Sequence, residues 1–259
     1  MSAPAPTLAR KGARRAADIA PDTLAALSRG QIASATLAEG LAVNQAQLAR
    51  AVFPDLPTAA LAEVDAASQL GILKRMQRMG AVLLDALGPA GVAACQAHGS
   101  DTVRGWACFM IGAQAMPLPD RLKAVAPLAD DAHFGVREWA WMAQRPHLAA
   151  QLDEALALLR PWTAAPSEYL RRFACEALRP RGVWCAHIEA LKREPERALP
   201  LLLPLRADAS RYVQDSVANW LNDAAKTRPD WVRSLCADWQ QASPGPATAR
   251  ICQRALRSL

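Results

Sequence analysis

The sequence predicts an all-α protein, a right-handed solenoid of stacked helix pairs forming an α-α superhelix. Three observations carry that expectation. Ala, Leu, Arg, Glu and Gln dominate the chain, and these residues lose little on entering a helix. Runs of Val, Ile, Thr or Tyr alternating with period two, the mark of strands, are absent. The pattern apolar, Arg, any residue, aromatic, Ala recurs as Val103-Arg104-Gly105-Trp106-Ala107, Val136-Arg137-Glu138-Trp139-Ala140 and Leu170-Arg171-Arg172-Phe173-Ala174, with starts 33 and 34 residues apart.

Taken in order, residues 1–20 carry Arg10, Lys11, Arg14 and Arg15 without the apolar core of a secretory signal, and are expected to form a basic, flexible N-terminus. Residues 22–52 read as three short helices with Asp22, Ser34 and Asn44 as N-caps and Gly30 and Gly40 as stops, an N-terminal helical cap over 21–56. Residues 57–88 carry two longer apolar stripes, the second holding Leu70, Leu73, Met76, Leu83 and Leu84, and Pro89 starts another helix. From residue 100 onward each copy of the repeat follows a polar turn and a further apolar helix, as in 122–128, 152–162 and 198–205. A fourth copy runs from Tyr212 to Asn219 after Asp208-Ala209-Ser210. Units of this period bury their faces only by stacking on neighbours, so 21–259 is read as a single HEAT-like domain of roughly six helix pairs.

Composition narrows the function classes. With 259 residues, 52% hydrophobic and 21% charged, the chain is neither disordered nor collagenous. No uninterrupted apolar stretch reaches the length of a membrane span, and the best, Ala198–Leu205, is cut by Pro200 and Pro204. A cytoplasmic location is expected. The net charge of +6 makes a polyanionic partner more plausible. The six cysteines contain no C-x-x-C pair, and Cys175, Cys185 and His187 fit no common metal spacing, so metal is expected to be none.

Equivalent positions of stacked repeats fall in line, which places Arg104, Arg137 and Arg171 as a ladder suited to a phosphate backbone. The plainer alternative is an ion pair from each Arg to the preceding turn, through Asp101 or Asp131. Around 171–193, Arg171, Arg172, Arg179, Arg181, Lys192 and Arg193 outnumber Glu176 and Glu189. Trp supplies eight of the fourteen aromatic residues. Trp106 and Trp139, at equivalent positions, suit packing, while Trp141 and Trp184 are freer to stack on a base or sugar. Glu138 and Glu176 are the carboxylates of the repeat helices, and Glu176 has Arg172 and Arg179 on its own helix as ion-pair partners.

At these residues the sequence resembles the HEAT-like-repeat DNA alkylation repair enzymes, the alkylpurine DNA glycosylases, with the C type nearer than the D type. Residues 166–184 (PSEYLRRFACEALRPRGVW) are similar to the family stretch N/S-E-x-V-R-R-L-x-S-E-x-x-R-P-R-x-x-W, which places Arg171, Arg172, Glu176, Arg179, Pro180, Arg181 and Trp184 on matching positions. Residues 216–223 (SVANWLND) resemble S-V-A-N-x-L-N-D, and 27–43 resemble the family's opening helices. The likeness covers 20–240 and is strongest over 130–230.

The resemblance implies hydrolysis of the N-glycosidic bond of N3- or N7-alkylated purines in duplex DNA, without deep base flipping and without cofactor or metal. It implies Glu138 as catalytic carboxylate with Glu176 as second candidate, Trp139, Trp141 or Trp184 as stacking walls, and Arg171, Arg172, Arg179 and Arg181 on DNA; Arg104 and Arg137 join them through the ladder, and a monomer is expected. The chain departs from the family in two places. Where the family reads E-F-A-x-R-P, this chain has Glu138-Trp139-Ala140-Trp141-Met142-Ala143-Gln144-Arg145-Pro146, and Gln214-Asp215 stands where paired Arg is common. A non-catalytic DNA-binding protein and a HEAT-repeat protein scaffold are the alternatives.

Overall fold

The computed structural model describes residues 10–259, and these hold fifteen α-helices, three short 3-10 segments and no strand. They form two compact units that divide between Gln114 and Ala115.

The first unit holds α1 (Pro21–Ser28), α2 (Leu37–Ala42), α3 (Gln45–Val52), α4 (Thr58–Ala67), α5 (Ile72–Gln96) and α6 (Asp101–Ala113). Residues 1–9 of the basic N-terminal segment lie outside the described residues; beyond them Arg10 donates to Glu39 at 2.7 Å. Asn44 caps α3 as expected, its side chain accepting from Gln47 N at 3.0 Å, and Gly30 follows α1 with φ 73°. Three expected signals are corrected: Asp22 lies in the first turn of α1, whose N-cap is Ala20. Thr36, not Ser34, caps α2, because Ser34 donates its hydroxyl to Asp101 at 2.7 Å, and Gly40 lies inside α2 rather than ending it.

Helix α5 packs on α6, and Gly80 is what permits the approach: a Cβ there would lie 2.5 Å from Phe109 Cβ and 2.6 Å from its carbonyl carbon. The helix breaks at Gly88 (φ 61°) before Pro89, the start marked in the sequence. By length and composition α5 is apolar enough to cross a membrane, which a search for unbroken apolar runs passes over. Its Met76, Met79, Gly80, Leu83 and Cys95 are buried in the unit. Trp106 is fully buried and donates Nε1–H to Gln45 at 3.0 Å.

The second unit contains α7 (Leu118–Ala129), α8 (Phe134–Ala150), α9 (Leu152–Leu159), α10 (Glu168–Glu176), α11 (Glu189–Arg193), α12 (Leu199–Leu205), α13 (Arg211–Ala225), α14 (Pro229–Ala242) and α15 (Pro246–Ala255). Helices α8, α10, α13 and α15 touch in that order, each backed by an outer helix or 3-10 segment, which is the stacking the repeat period demands. Val136, Ala140, Phe173, Ala174, Val213, Val217, Trp220, Ile251 and Cys252 fill the core between them. The N-caps of the four helices are His133, Ser167, Ser210 and Gly245, and the first three accept backbone N–H bonds through their side chains.

Hydrogen bonds from Arg10, Ala13 N and Ala35 N converge on the buried Glu39 carboxylate; the Arg10 bond is the largest influence and holds the group well below its usual range, at about 2. A depressed carboxylate stabilises the fold above its ordinary pKa and loses that contribution as pH falls toward the folded value. Glu39→Gln is therefore expected to lower Tm by several degrees at neutral pH. The gap from wild type should close as thermal melts are repeated from about pH 5 down to about pH 2.

Candidate nucleic-acid interface and carboxylate site

The register of the repeat builds the site. The arginine four residues after the N-cap points back along its helix, as helical side chains do, and reaches the carbonyls of the turn before it. Arg137 Nη1 donates to Asp131 O at 2.7 Å and Ala132 O at 2.9 Å. Arg171 Nη1 donates to Ala165 O and Pro166 O, both at 2.9 Å. In the first unit Arg104 does the same to His98 O at 2.9 Å and Gly99 O at 3.0 Å, and Gln214 keeps one arm of the motif with Asp208 O at 2.7 Å. These guanidinium groups close the turns between helices, as the alternative to a phosphate ladder expects, though the contacts shown are to turn carbonyls. Arg171 also pairs with Asp208 at 2.7 Å.

One residue further on the chemistry begins. Glu138 Oε1 meets Arg172 Nη1 at 2.7 Å and Glu138 Oε2 accepts the Trp141 indole N–H at 2.7 Å. Arg172 lies 3.7 Å from Glu176 Oε2, which also accepts the Ser216 hydroxyl at 2.6 Å, and Glu176 Oε1 meets Arg179 Nη1 at 2.8 Å. Arg179 in turn reaches Asp223 Oδ2 at 2.9 Å. Trp141, Glu138, Arg172, Glu176, Arg179 and Asp223 therefore form one continuous chain of hydrogen bonds and ion pairs linking α8, α10 with the turn after it, and α13.

The carboxylates differ in environment. Glu138 keeps 31% of its side chain exposed, against 4% for Glu176 and 6% for Asp223. Burial pushes the Glu176 carboxyl up, but Arg172, Arg179 and Ser216 together outweigh it and hold the group below its usual range. At Asp223 burial wins over Arg179 and the carboxyl is raised. Burial opposes the charge on Arg172, yet Glu176 and Glu138 keep its proton more firmly held than usual.

Aromatic rings flank the exposed end. The Arg137 guanidinium lies 3.9 Å above the Tyr169 ring and 5.2 Å from that of Tyr212; Arg172 lies 4.3 Å from the Tyr212 ring, and the two rings meet edge to face at 6.1 Å. Neither tyrosine was singled out in the sequence, nor was Asp223, although it ends the quoted SVANWLND stretch. Trp141, expected as a stacking wall, is 1% exposed and acts as a donor beneath Glu138. Trp139 is half-buried. Trp184 is 51% exposed at the tip of the 180–188 loop with φ 60°, beside the exposed Val183. Arg145, from the displaced Arg145-Pro146 pair, is buried and anchors that loop by donating to Ala177 O at 2.9 Å, Arg179 O at 2.7 Å and Ala186 O at 3.1 Å. Arg181 sits in the same loop, its Nε buried without a partner. Cys175 is buried, which pushes its thiol up to about 12.

Removing the Glu176 charge leaves two buried guanidinium groups short of an anion. Breaking such a pair costs about 3 kcal/mol, so Glu176→Gln is expected to lower Tm by roughly 6–12 °C. Glu138→Gln, at the exposed end, is expected to cost less than about 1 kcal/mol. Calorimetry on both variants checks the ranking.

Comparison with known proteins places this geometry. Residues 135–245 match the family model of the DNA alkylation repair enzyme. The uncharacterized protein YhaZ of Bacillus subtilis (strain 168) is 40% identical over 117 residues, which cover 45% of this chain and 32% of that protein. The solved structure of Pseudomonas fluorescens alkylpurine DNA glycosylase AlkC, bound to DNA containing an abasic site analog, is similar with TM-score 0.68 and 28% identity over 90% of this chain and 62% of that one. AlkD2 from Streptococcus mutans shares the fold with TM-score 0.58 and 21% identity over 76% of this chain and 95% of that one. The chain thus spans less than two thirds of both YhaZ and the AlkC chain. Residues 135–245, which hold every member of the polar chain, match the DNA alkylation repair enzymes in sequence, and the all-α HEAT-like fold around them is nearer in TM-score to AlkC than to AlkD2.

Proposed function

We propose that this chain is a DNA glycosylase of alkylation repair that hydrolyses the N-glycosidic bond of N3- or N7-alkylated purines in duplex DNA. The observation that carries the reading is the Glu138 carboxylate, fixed by Arg172 and Trp141 yet open to solvent, within the segment that matches the repair family. An alkylated purine is cationic, so when the C1′–N bond breaks its electron pair leaves with a neutral base. The positive charge passes to the sugar as an oxocarbenium ion. A fixed carboxylate stabilises that charge and orients the water whose oxygen bonds C1′, the water's proton passing to solvent. Donors on both Glu138 oxygens hold the carboxylate in place. Such a leaving group asks for no metal and no cofactor.

Glu176, between two arginines, positions Arg172 rather than meeting substrate. Trp184 and Trp139 are the tryptophans left for stacking, with Tyr169 and Tyr212 lining the approach. The AlkC structure holds DNA with an abasic site analog, which supports duplex DNA as partner of this chain too. We place the protein in the cytoplasm as a monomer. A non-catalytic DNA-binding repeat is the second reading, favoured by Arg145, which falls later than in the family pattern and is buried against the 180–188 loop through Ala177 O and Arg179 O.

The test is release of methylated purines from duplex DNA treated with a methylating agent. Glu138→Gln is expected to lower the release rate on the order of 100-fold or more, with duplex affinity kept. Wild-type protein that binds duplex but releases no base would overturn the glycosylase reading in favour of the second.

A further inference from the structure

The register of the site continues one repeat beyond it. Counted from their N-caps, the fifth residues of α8, α10, α13 and α15 are Glu138, Arg172, Asp215 and Arg250. The ninth are Met142, Glu176, Asn219 and Arg254, and the twelfth are Arg145, Arg179, Asn222 and Arg257. The α15 repeat thus has arginine at all three positions, Arg250 and Arg254 one helical turn apart on one face and Arg257 just past the helix end.

Their partners lie on α13. Arg250 Nη2 meets Asp215 Oδ1 at 2.7 Å, Arg254 Nε meets the same oxygen at 3.0 Å, and Arg257 Nη2 donates to Asn219 Oδ1 at 2.9 Å. Gln214 Oε1 accepts from Arg250 at 3.4 Å. One carboxylate against three guanidinium groups leaves two positive charges, and residues 239–259 hold no Asp or Glu. Arg250 and Arg254 are 27% and 42% exposed, and Arg257 is exposed.

We propose that Arg250, Arg254 and Arg257 form a phosphate-binding face for duplex DNA, extending by one repeat the row of positions that carries Glu138 and Arg172. The proposal rests on the reading that the chain acts on duplex DNA. Charge complementarity selects a polyanion, and the planar guanidinium fork suits phosphate oxygens. Asp215 holds two of the forks in place and competes with the phosphates for them. Contacts of this kind position a duplex without reading its sequence. This face therefore sets where along the helix row the sugar opposite Glu138 comes to lie.

The experiment is equilibrium binding of the whole chain to a duplex with an abasic-site analog, measured across salt concentration. Each phosphate contact contributes roughly 0.9 to the slope of log K against log salt. The triple variant Arg250→Gln, Arg254→Gln, Arg257→Gln is expected to lose about 2 to 3 from that slope. Asp215→Asn, which frees two guanidinium groups, is expected to bind more tightly than wild type. Arg233→Gln, an exposed arginine paired with Asp230 on α14, should leave the slope unchanged. A triple Lys variant keeps the charge and is expected to keep the slope, which supplies a second readout if the Gln variant folds poorly. Wild-type binding with the same slope in the triple Gln variant overturns the arginine face and leaves the glycosylase reading standing. Absence of salt-dependent duplex binding by wild type overturns both. Loss of polyglutamate binding with unchanged duplex binding would assign the face to an acidic protein partner and overturn the proposal.

Discussion

The burial of Glu176 between Arg172 and Arg179 is the constraint on which the rest of the second unit depends. A carboxylate taken out of water is tolerated only where cations and hydrogen-bond donors replace the lost hydration. Here Arg172 lies four residues back on the same helix, Arg179 three residues on, and Ser216 reaches in from α13. Each arginine then has a second partner on another helix, Glu138 on α8 for Arg172 and Asp223 on α13 for Arg179. Sliding any of the three helices by one turn would part several charged pairs at once. The network contributes less to net stability than to fixing one register, because apolar residues of the same size would bury at lower cost.

That fixed register is what makes two glutamates of one network chemically different. Glu176 is closed in by protein donors on both oxygens and has no face left for a ligand. Glu138 shares the same arginine but sits at the end of the chain, with the paired tyrosines and solvent beyond it. A single arginine thus joins a carboxylate that orders the core to one that faces outward. The inner charge keeps Arg172 in place, and in the proposed reaction the outer one would meet a developing positive charge without first reorganising.

Most of the fold was legible in the sequence, because the repeat pattern sets both the helix period and the stacking order. Repeats built on Arg104, Arg137 and Arg171 announce themselves through an aromatic residue and Ala at fixed spacing. The α15 repeat lacks those residues and starts from Gly245, so its equivalence emerges only once the N-caps are aligned. The direction of the arginine ladder had a local cause that spacing alone does not express, the backward lean of helical side chains toward the preceding turn. Trp141 was misread because position on a helix tells which side a ring faces and not whether a neighbouring helix covers that side. Asp223, Tyr169 and Tyr212 escaped notice for a related reason: Arg179 and Asp223 are 44 residues apart, and Arg137 and Tyr212 are 75 apart, so nothing local marks them as partners.

The fifth-position row also orders the electrostatics of the surface. Glu138, Arg172, Asp215 and Arg250 alternate in sign, so the row cancels its own charge over most of its length. At α15 the cancellation fails, since Arg254 and Arg257 add charge beside Arg250 with Asp215 as the one carboxylate paired to them. A polyanion approaching a surface of this kind is held where the excess lies and is only weakly repelled along the alternating stretch. For a reaction that generates positive charge on a sugar this division is useful. In the proposed glycosylase the carboxylate near C1′ is an anion, and balanced neighbouring charges are what would let DNA approach it closely. On the proposed reading, separating the grip from the reacting group lets Arg172 neutralise Glu138 locally while phosphate contacts are made three repeats away, on α15.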